Sequence, residues 1–510
     1  MPSTIPCACS ESEEDQDPSY AASQAGGDGA PRLSKAHILM ALALALAGLA
    51  LVAVHFPEEL ESLTQDMKRS WWMTLLKAMI VVNAVLLAWR IWLVIRYRPA
   101  RACADMDLPS LTVIVPAYNE GRQVLGTLRS VITGDYPAPK LQVICVDDGS
   151  RDDTWEWMLA AEKEFPGRVE LVRQPVNRGK RRALYEGFRR ATGDILVTID
   201  SDSEVEPPTL RRLASVFVRD PRVGAAAGNV RVLNIREGAI PKMLDVAFTF
   251  SFDFIRAAQS RVNTVMCTPG ALSAYDRKVV EPVLDQWLGQ TFMGREANIG
   301  EDRAMTNLVL RQGKLVHFQS DAVVYTNVPV KYRGLCKMLL RWARSNIRET
   351  ITLSRFAFTR FRNEPASGAR VNLAAHWLKM TFGEVLKLSL PVSLLSWPLA
   401  AGFNLVLGLV AAALPSAIFF LLRRRSSDCL WAFAYTFYWL AALSWISLYA
   451  LCTPHKNGWL TRQIKAAEPA AESTAALMDA QKAAPVLAAS LPGEITAALM
   501  TRDDLARVQP

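Results

Sequence analysis

Two acidic pairs in this sequence of 510 residues could bring carboxylates to a single site, and one of them has the spacing of a pair that holds a divalent cation on a diphosphate. Each pair directly follows a short β-branched apolar run: Asp147 and Asp148 come first, and Asp200 and Asp202 come later. Acids at turns are often caps, so any one of them alone is as easily structural as functional. Two runs that deliver carboxylates to one sheet edge are harder to explain that way. Because hard oxygen ligands suit Mg²⁺ or Mn²⁺, Asp200 and Asp202 resemble a metal-binding pair.

A basic run, 177–182, stands before the second acidic pair and opens a stretch with a helical pattern. It contains Gly179, Lys180 and Arg181. Glycine lets the backbone approach an anion, and a helix N-terminus adds partial positive charge. A solvated basic face is the alternative interpretation. We favour contact with phosphate because the run directly precedes the acid-bearing strand.

Two later motifs indicate a function only in combination with the acidic pairs and the basic run. Glu301 and Asp302 follow Gly300 at the start of another helical run, where an acid is usually a cap that contributes about 1 kcal/mol. Arg341 and Trp342 lie in a stretch that mixes aromatic and basic residues, where such a pair is usually an anchor at a membrane interface. Neither motif predicts a function by itself.

Three short apolar runs, 111–116, 141–146 and 195–199, would position these residues. Segments with helical patterns separate them, which is typical of parallel strands joined by right-handed crossovers. Continuously apolar strands indicate a sheet that is covered on both faces. Ligands of such sheets bind beyond the carboxyl ends of the strands. We therefore predict an α/β domain whose acids share one edge.

The composition predicts a membrane protein with a large soluble domain. Hydrophobic residues make up 51% of the chain and charged residues 21%, yet the mean hydropathy is only +0.12. The apolar excess must therefore lie in a few dense segments, which excludes a disordered polymer. The net charge of +9 is assigned to membrane flanks and an anion-binding pocket, not to nucleic acid. Eight scattered cysteines favour a reducing compartment over a disulfide framework or zinc site.

Dense apolar runs predict the membrane segments. Residues 36–56 and 71–95 can each cross a bilayer, and the arginines around this hairpin place its flanks in the cytosol. Three more runs follow a long soluble region: 385–401, 403–422 and 430–452. Arginines between the last two place that loop in the cytosol as well, which conflicts with three simple crossings. Either the proline-containing first run is interfacial or the last run is a short hairpin.

Two stretches between the soluble region and these runs, 332–350 and 356–379, carry Arg and Lys among apolar residues at helical spacing. They predict amphipathic helices at the cytosolic membrane surface. Ordinary surface helices of the soluble domain are the alternative.

Seven motifs occur in order at 115–120, 146–150, 179–182, 200–202, 300–303, 341–342 and 458–462. Together they resemble the processive membrane branch of glycosyltransferase family 2, which includes hyaluronan, chitin and cellulose synthases and the nodulation chitooligosaccharide synthases. The resemblance covers roughly residues 70–465 and is closer to the hyaluronan and chitin type than to cellulose synthase. It implies a GT-A fold for the soluble domain, a UDP-sugar donor and Mg²⁺ or Mn²⁺ as cofactor.

The resemblance also implies roles for the matching residues. Asp302 would be the general base for the acceptor hydroxyl, with Glu301 beside it, and Asp200 and Asp202 would position the diphosphate and bind the metal. The nucleotide-sugar would be bound by Tyr118, Glu120, Asp148, Lys180, Arg181, Asp200, Arg341, Trp459, Thr461 and Arg462. The acceptor would be bound by Trp342, Cys267, Pro269 and Gly270.

The implied reaction is a single inverting displacement. A hydroxyl nucleophile needs a base within reach, and departing UDP needs its charge offset. We predict a processive transferase that polymerises a β-linked polysaccharide at the cytosolic face and moves it across the plasma (inner) membrane. Its expected partners are the UDP-sugar, the growing polysaccharide, the lipid bilayer and accessory export proteins, with no nucleic acid.

Two residues depart from the family's motifs. Met338 stands where Q-x-x-R-W has glutamine, and Leu460 stands where the Trp-Gly-Thr-Arg gating loop has glycine. The lost amide keeps open an inactive relative that binds polysaccharide or nucleotide. A second alternative is a non-processive membrane transferase that acts on a lipid acceptor, although Arg341 and Trp342 count against it.

The chain therefore has seven predicted segments. They are a disordered cytoplasmic tail (1–35), a transmembrane hairpin (36–101), a GT-A glycosyltransferase domain (102–330), interfacial amphipathic helices (331–381), a C-terminal α-helical transmembrane bundle (382–453), a gating loop (454–465) and a flexible tail (466–510).

Overall fold

The structure of this chain is a computed structural model that describes residues 36, 40, 43–44, 47–48, 50–51, 71–396 and 398–456. The predicted tails 1–35 and 466–510, most of the first predicted span and most of the predicted gating loop lie outside these residues. So do Trp459, Thr461 and Arg462. The described residues belong to a compact unit that ends at Asn457.

Ten strands occur in the described part of the chain. They are β1 (Leu111–Ala117), β2 (Leu141–Asp147), β3 (Glu170–Arg173), β4 (Ile195–Thr198), β5 (Ser203–Val205), β6 (Val223–Val232), β7 (Ser273–Asp276), β8 (Thr291–Phe292), β9 (Arg295–Glu296) and β10 (Leu315–Thr326). Eight of them form one mixed sheet in the order β3-β2-β1-β4-β7-β6-β10-β5, and β8 pairs with β9 in a separate hairpin. β1 runs parallel to β2 and β4, whereas β7 runs antiparallel between β4 and β6.

Fifteen α-helices accompany these strands within the same residues. They are α1 (Trp71–Arg96), α2 (Gln123–Ile132), α3 (Thr154–Glu164), α4 (Lys180–Arg190), α5 (Thr209–Arg219), α6 (Ala239–Phe248), α7 (Arg256–Arg261), α8 (Arg277–Val280), α9 (Leu284–Leu288), α10 (Glu301–Arg311), α11 (Tyr332–Ser354), α12 (Ser367–Ser396), α13 (Pro398–Arg424), α14 (Trp431–Tyr438) and α15 (Trp445–Cys452). Two π-helical segments, Thr249–Ile255 and Trp439–Leu443, follow α6 and α14.

The predicted apolar runs 111–116, 141–146 and 195–199 are β1, β2 and β4, so the α/β prediction is confirmed. Every residue of β1 and β4 is buried, as expected for strands that are covered on both faces. On α4, Leu184 and Phe188 are one helical turn apart, and both join the core cluster that contains Ile114 of β1. This packing fixes the start of α4 near the carboxyl ends of the strands.

The two predicted amphipathic stretches differ from the structure in detail. The first is α11, but Arg344, Arg348 and Glu349 in its second half are buried, which is not expected for a helix that lies on a membrane surface. The second does not begin at residue 356: turns follow α11, and α12 begins only at Ser367. Pro365 explains the delay, because the residue before a proline is disfavoured in helical geometry.

Two helices in the described part of the chain are long and apolar enough to cross a membrane, over Ala78–Arg96 and Asn404–Arg424. Ser427–Leu443 and Trp445–Cys452 meet the same criterion only as a pair bent by 48°. The predicted run 385–401 is not among these candidates. It is divided between α12, which continues through Pro391, and the start of α13.

Two ion pairs tie the end of α13 to the sheet domain. Arg423 Nε donates a hydrogen bond of 2.7 Å to Asp253 Oδ2, and Arg424 Nη2 donates one of 3.1 Å to Asp245 Oδ1. Both acids are buried, and they lie on α6 and the π-helical segment that follows it. The basic end of this apolar helix is therefore anchored to α6 and to the π-helical segment that follows it.

Candidate active site

The carboxyl ends of β1, β2 and β4 meet at one edge of the sheet. β1 and β2 pair in register as far as Ala117 and Asp147, so Tyr118 and Asp148 leave the sheet side by side. β4 lies on the other side of β1 and ends two residues before Asp200. Strand order thus brings the two predicted acidic pairs to the same edge.

Asp147 and Asp148 hold the loops that follow β2. Asp147 is fully buried, and its Oδ1 accepts a hydrogen bond of 2.9 Å from the backbone N–H of Ser150. Asp148 accepts hydrogen bonds from the backbone N–H groups of Arg178 (2.9 Å) and Gly179 (2.8 Å). Burial raises the pKa of Asp148 to about 6, although these two hydrogen bonds oppose the shift. Its carboxylate fixes the backbone that enters α4.

Glycine is required where this backbone passes the strand ends. Gly149 has φ +72°, and a Cβ there would lie 2.7 Å from the carbonyl carbon of Val176. Gly179 has φ +91° and immediately precedes α4. The motifs after β2 and before α4 therefore fold against each other, which places Lys180 at the sheet edge.

Lys180 lies between acids from two different elements. Its ammonium group contacts Asp200, and its Nζ lies 3.1 Å from Glu301 Oε1 at the start of α10. Burial would lower the pKa of Lys180, but the charges of Asp200 and Glu301 outweigh it and raise this pKa, so the lysine stays charged. The loop at Gly270 packs directly on this group, since a Cβ there would lie 2.7 Å from Nζ.

Asp302 is the neighbour of Glu301 but lies in a different electrostatic environment. Its Oδ1 accepts a hydrogen bond of 2.7 Å from the backbone N–H of Arg303, and its Oδ2 lies 3.6 Å from Cys267 Sγ. Burial, followed by the charge of Glu301, raises the pKa of Asp302. Burial also acts to raise the pKa of Glu301, but Lys180 outweighs it and lowers this pKa. Two adjacent acids with pKa values displaced in opposite directions are suited to different roles.

The loop 267–270 is fixed against the same helix. The backbone N–H of Thr268 donates to Thr306 Oγ1 (3.1 Å), and its hydroxyl lies 2.8 Å from the hydroxyl of Tyr275. Thr268 and Pro269 are buried, which leaves Cys267 and Gly270 at the two ends of a rigid loop. Cys267 faces Asp302, and Gly270 faces Lys180.

Comparison with known proteins identifies the family. The sequence profile described as glycosyltransferase like family 2 matches residues 109–345. An N-acetylglucosaminyltransferase of Mesorhizobium japonicum is 33% identical over 362 residues, which cover 69% of this chain and 82% of the relative. The chain belongs to glycosyltransferase-like family 2. A hyaluronan synthase of Streptococcus pyogenes is 34% identical over 246 residues, which cover 47% of this chain and 58% of the synthase.

Among solved structures, a mannosyltransferase from Pyrobaculum calidifontis in complex with GDP-Man and Mn²⁺ matches with a TM-score of 0.49. It is 23% identical, and the match covers 78% of this chain and 99% of that one. The sheet domain of the present family 2 glycosyltransferase is a GT-A-like α/β fold.

The remaining acids of the sheet edge are also engaged. Glu120 Oε1 accepts a hydrogen bond of 3.0 Å from the hydroxyl of Ser201. Asp202 Oδ1 lies 3.2 Å from the hydroxyl of Ser203 and 3.4 Å from that of Thr326. No group of three or more His, Cys, Asp or Glu side chains that could hold a metal occurs in the residues described. Two carboxylates fit Mg²⁺ or Mn²⁺, because these ions take most of their ligands from substrate phosphates and water.

Arg341 and Trp342 of this glycosyltransferase lie near the middle of α11. Arg341 is close enough to Glu301 for its charge to lower the pKa of that acid. Trp342 is 36% exposed, and its ring lies 5.9 Å from that of Phe248. Met338, which replaces the family's glutamine, is buried on the same helix.

Arg181 is placed differently from the other predicted donor residues. It is buried, and its Nη1 donates hydrogen bonds to the carbonyl oxygen of Trp287 (2.9 Å) and to Gln290 Oε1 (3.1 Å). Lys180 and Arg181 are neighbours on a helix, so their side chains leave it about 100° apart. Of these two residues, only Lys180 therefore forms ion pairs with Asp200 and Glu301.

Several side chains close to the cluster formed by Lys180, Asp200, Glu301 and Asp302 were not predicted from the sequence. Trp287 and Gln290 come from the segment between β7 and α10, and Glu349 comes from the buried half of α11. Arg256 faces Cys267 from α7. None of them lies in a glycine-rich or acidic motif at a strand end, so no local pattern marks them.

Proposed function

We propose that this chain is a processive, inverting glycosyltransferase. It polymerises a β-linked polysaccharide from a UDP-sugar at the cytosolic face of the plasma membrane and moves the product through its own helices. The observation that carries the proposal is the cluster of Lys180, Asp200, Glu301 and Asp302, in which one acid has a raised pKa beside a fixed cation. Relatives named N-acetylglucosaminyltransferase and hyaluronan synthase support UDP-GlcNAc as a donor.

Asp302 serves as the general base in this proposal. A carboxylate whose pKa is raised by burial and by Glu301 is a better proton acceptor than an ordinary aspartate. It takes the proton of the acceptor hydroxyl as that oxygen attacks the anomeric carbon and UDP leaves from the opposite face. The single displacement inverts the anomeric centre and converts an α-linked donor into a β-linked product.

The leaving diphosphate is stabilised by the cation at the start of α4. Lys180 stays charged and lies beside Asp200, and the helix N-terminus adds partial positive charge. Asp202, with Asp200, would hold Mg²⁺ or Mn²⁺, which supplies further charge compensation when bound. Arg341 would contact the same diphosphate from α11.

The nucleotide and the acceptor occupy opposite sides of this cluster. Tyr118, Glu120 and Asp148 line the nucleotide side at the ends of β1 and β2. On the acceptor side, the loop from Cys267 through Pro269 to Gly270 and the half-exposed ring of Trp342 would contact the terminal sugars. The roles of Trp459, Thr461 and Arg462 over the nucleotide stay as predicted from the family resemblance.

A membrane arrangement with two crossings after the sheet domain agrees with the contacts. The end of α13 is anchored to the domain by Arg423 and Arg424, so α13 would cross toward the cytosol. This arrangement requires α12 to cross in the opposite direction, although α12 is not among the helices that are apolar enough to span a membrane by themselves. The bent pair that follows begins and ends at the domain, because Lys242 Nζ lies 5.6 Å from the ring of Trp431 and Arg344 Nη2 donates to Thr453 Oγ1 (3.0 Å). This segment would lie at the interface.

Product analysis tests the proposal. Membranes that contain the chain are incubated with Mn²⁺ and with UDP-GlcNAc, UDP-Glc and UDP-GlcA, singly and in pairs, and the products are digested with linkage-specific hydrolases. We expect a β-linked polymer that contains GlcNAc. Release of UDP with products of only a few units would contradict processivity, and a product that extracts entirely into organic solvent would support the lipid-acceptor alternative. Equal polymer output from Asp302→Asn would support an inactive relative.

A further inference from the structure

A buried glutamate on α11 connects the donor and acceptor sides of the site. Glu349 is fully buried. Its carboxylate accepts hydrogen bonds from Gln290 Nε2 (2.9 Å), Asn307 Nδ2 (2.9 Å) and Arg348 Nε (3.2 Å). A buried carboxylate is costly unless it is paired and hydrogen-bonded, and here three donors from three different elements meet the requirement.

One branch of this network leads to the donor side. The side-chain oxygen of Gln290 accepts a hydrogen bond of 3.1 Å from Arg181 Nη1. The Arg181 guanidinium lies 5.3 Å from the ring of Trp287 and also donates to the carbonyl oxygen of that residue. Arg181 directly follows Lys180 in the first turn of α4. Glu349 therefore reaches the turn that carries Lys180 through a single intervening side chain.

The other branch leads to the helix that carries Asp302. Asn307 lies on α10, and its amide also donates to the carbonyl oxygen of Glu349 (3.0 Å). Arg348 donates to the carbonyl oxygen of Ile299, next to Gly300, whose φ of +71° begins the helix. A Cβ at Gly300 would overlap α11, so the first turn of α10 is packed against the network without a gap.

We propose that Glu349 is a positioning residue, which holds Lys180 and the base Asp302 at the separation that sugar transfer requires. The inference rests on the proposed function. Glu349 itself contacts neither residue. Its replacement therefore removes none of the side chains that bind UDP or the acceptor, but it loosens the position of Lys180 relative to Asp302. Alignment of bound reactants governs the rate of the chemical step more than their affinity.

The test uses two variants and their combination. Glu349→Gln keeps the shape of the side chain but places an amide N–H₂ against groups that are themselves hydrogen-bond donors. Gln290→Met removes the link to Arg181 at a half-buried position. With the donor that the product analysis identifies, we expect kcat to fall about tenfold to a hundredfold for Glu349→Gln and severalfold for Gln290→Met, with the KM for that donor changed less than about threefold. Because both act through one chain of contacts, the double variant should be no slower than Glu349→Gln.

Asp245→Asn is the matched control, since Asp245 is also a buried carboxylate paired with one arginine, Arg424, but lies outside this network. It should lower Tm without lowering kcat, and its effects should multiply with those of Glu349→Gln. An unchanged kcat in Gln290→Met, multiplicative losses in the double variant, or a kcat loss explained by the unfolded fraction would overturn the positioning role. A wild-type chain without transferase activity would overturn the proposed function and this inference with it.

Discussion

The proposed donor side and the proposed acceptor side of this site are built in different ways. On the donor side, Asp148 directly follows β2 and Asp200 lies two residues beyond β4. Asp148 accepts hydrogen bonds from the backbone N–H groups of Arg178 and Gly179. On the acceptor side, Asp302 begins a helix whose first turn is held by residues of α11 and of the segment before α10. Strand ends are positioned by the sheet itself, whereas the start of α10 depends on long-range contacts.

The two sides also differ in charge. Lys180 and Glu301 form a fixed ion pair, and each group favours the ionised form of the other. Asp302 instead accepts a hydrogen bond from the backbone N–H of Arg303 and lies beside the thiol of Cys267, and burial, followed by the charge of Glu301, raises its pKa. On the donor side Lys180 and Glu301 therefore stay charged, whereas the acceptor side contains Asp302, the acid that would change its protonation state during the reaction. This contrast predicts that substitutions on the two sides separate binding from chemistry.

The largest effect is expected for Asp302→Asn on the acceptor side. Loss of a general base should lower kcat by about 10³-fold or more, whereas UDP affinity should stay within about twofold because Lys180 and Asp200 are untouched. Polymer synthesis and UDP titration measure the two quantities. A parallel loss of UDP affinity would remove the distinction between the two sides.

The donor side is easier to predict from the sequence than the acceptor side, because strand ends are marked locally and long-range contacts are not. The placement of Asp148, Asp200 and Lys180 at one edge of the sheet could be predicted, because a strand followed by an acid or by a glycine-rich turn is a local signal, whereas the roles of these residues stay predictions. Arg181 was assigned to the nucleotide, yet it points toward Trp287 and Gln290. The direction of a side chain around a helix depends on how the helix packs, which motif matching does not use.

Glu349 could not be predicted, because its partners Gln290 and Asn307 are distant in sequence and carry no motif. The same holds for α12, whose start at Ser367 and passage through Pro391 follow from packing rather than from hydropathy. The strands and most of the cluster were therefore predictable. The contacts that hold α10 in place, and the number of membrane crossings, depend on tertiary structure.

A second large effect is expected on the donor side, for Asp202→Asn. We expect Mn²⁺ to strengthen UDP binding by the wild type about tenfold or more and to have little effect on the variant, because one of two carboxylates is lost. Calorimetric titration of UDP with and without Mn²⁺ measures this directly. Asp194→Asn is the control, since Asp194 precedes β4 at the opposite end of the strand and accepts a hydrogen bond from Ser110. If Mn²⁺ still strengthens UDP binding by Asp202→Asn, the metal is bound by other residues.

An intermediate effect is expected where the two sides meet, for Glu301→Gln. Asp302 must be ionised to accept a proton, so activity falls as the pH falls through its pKa. Glu301 raises this pKa, and its neutralisation should therefore shift the acid limb of the kcat profile to lower pH. At neutral pH the loss in kcat should stay below about tenfold, because Lys180 keeps Asp200 as its partner. An acid limb that moves to higher pH, or does not move, would show that another group sets it.

The smallest effect on chemistry is expected for Trp342→Ala. The ring is 36% exposed and packs on Phe248, and its proposed role is to contact the acceptor rather than to transfer a proton. Aromatic contacts of this kind contribute about 0.5–1.5 kcal/mol, which is about twofold to tenfold in acceptor affinity. The ring takes no part in proton transfer, so with saturating acceptor a single-sugar transfer should slow less than about threefold. Each elongation step, however, requires the acceptor to stay bound, and a small loss of affinity is repeated at every step. The product should therefore become shorter while the initial rate barely changes, and Trp342→Phe should restore much of the length. Chains of normal length from Trp342→Ala would mean that product retention depends on other contacts than this ring.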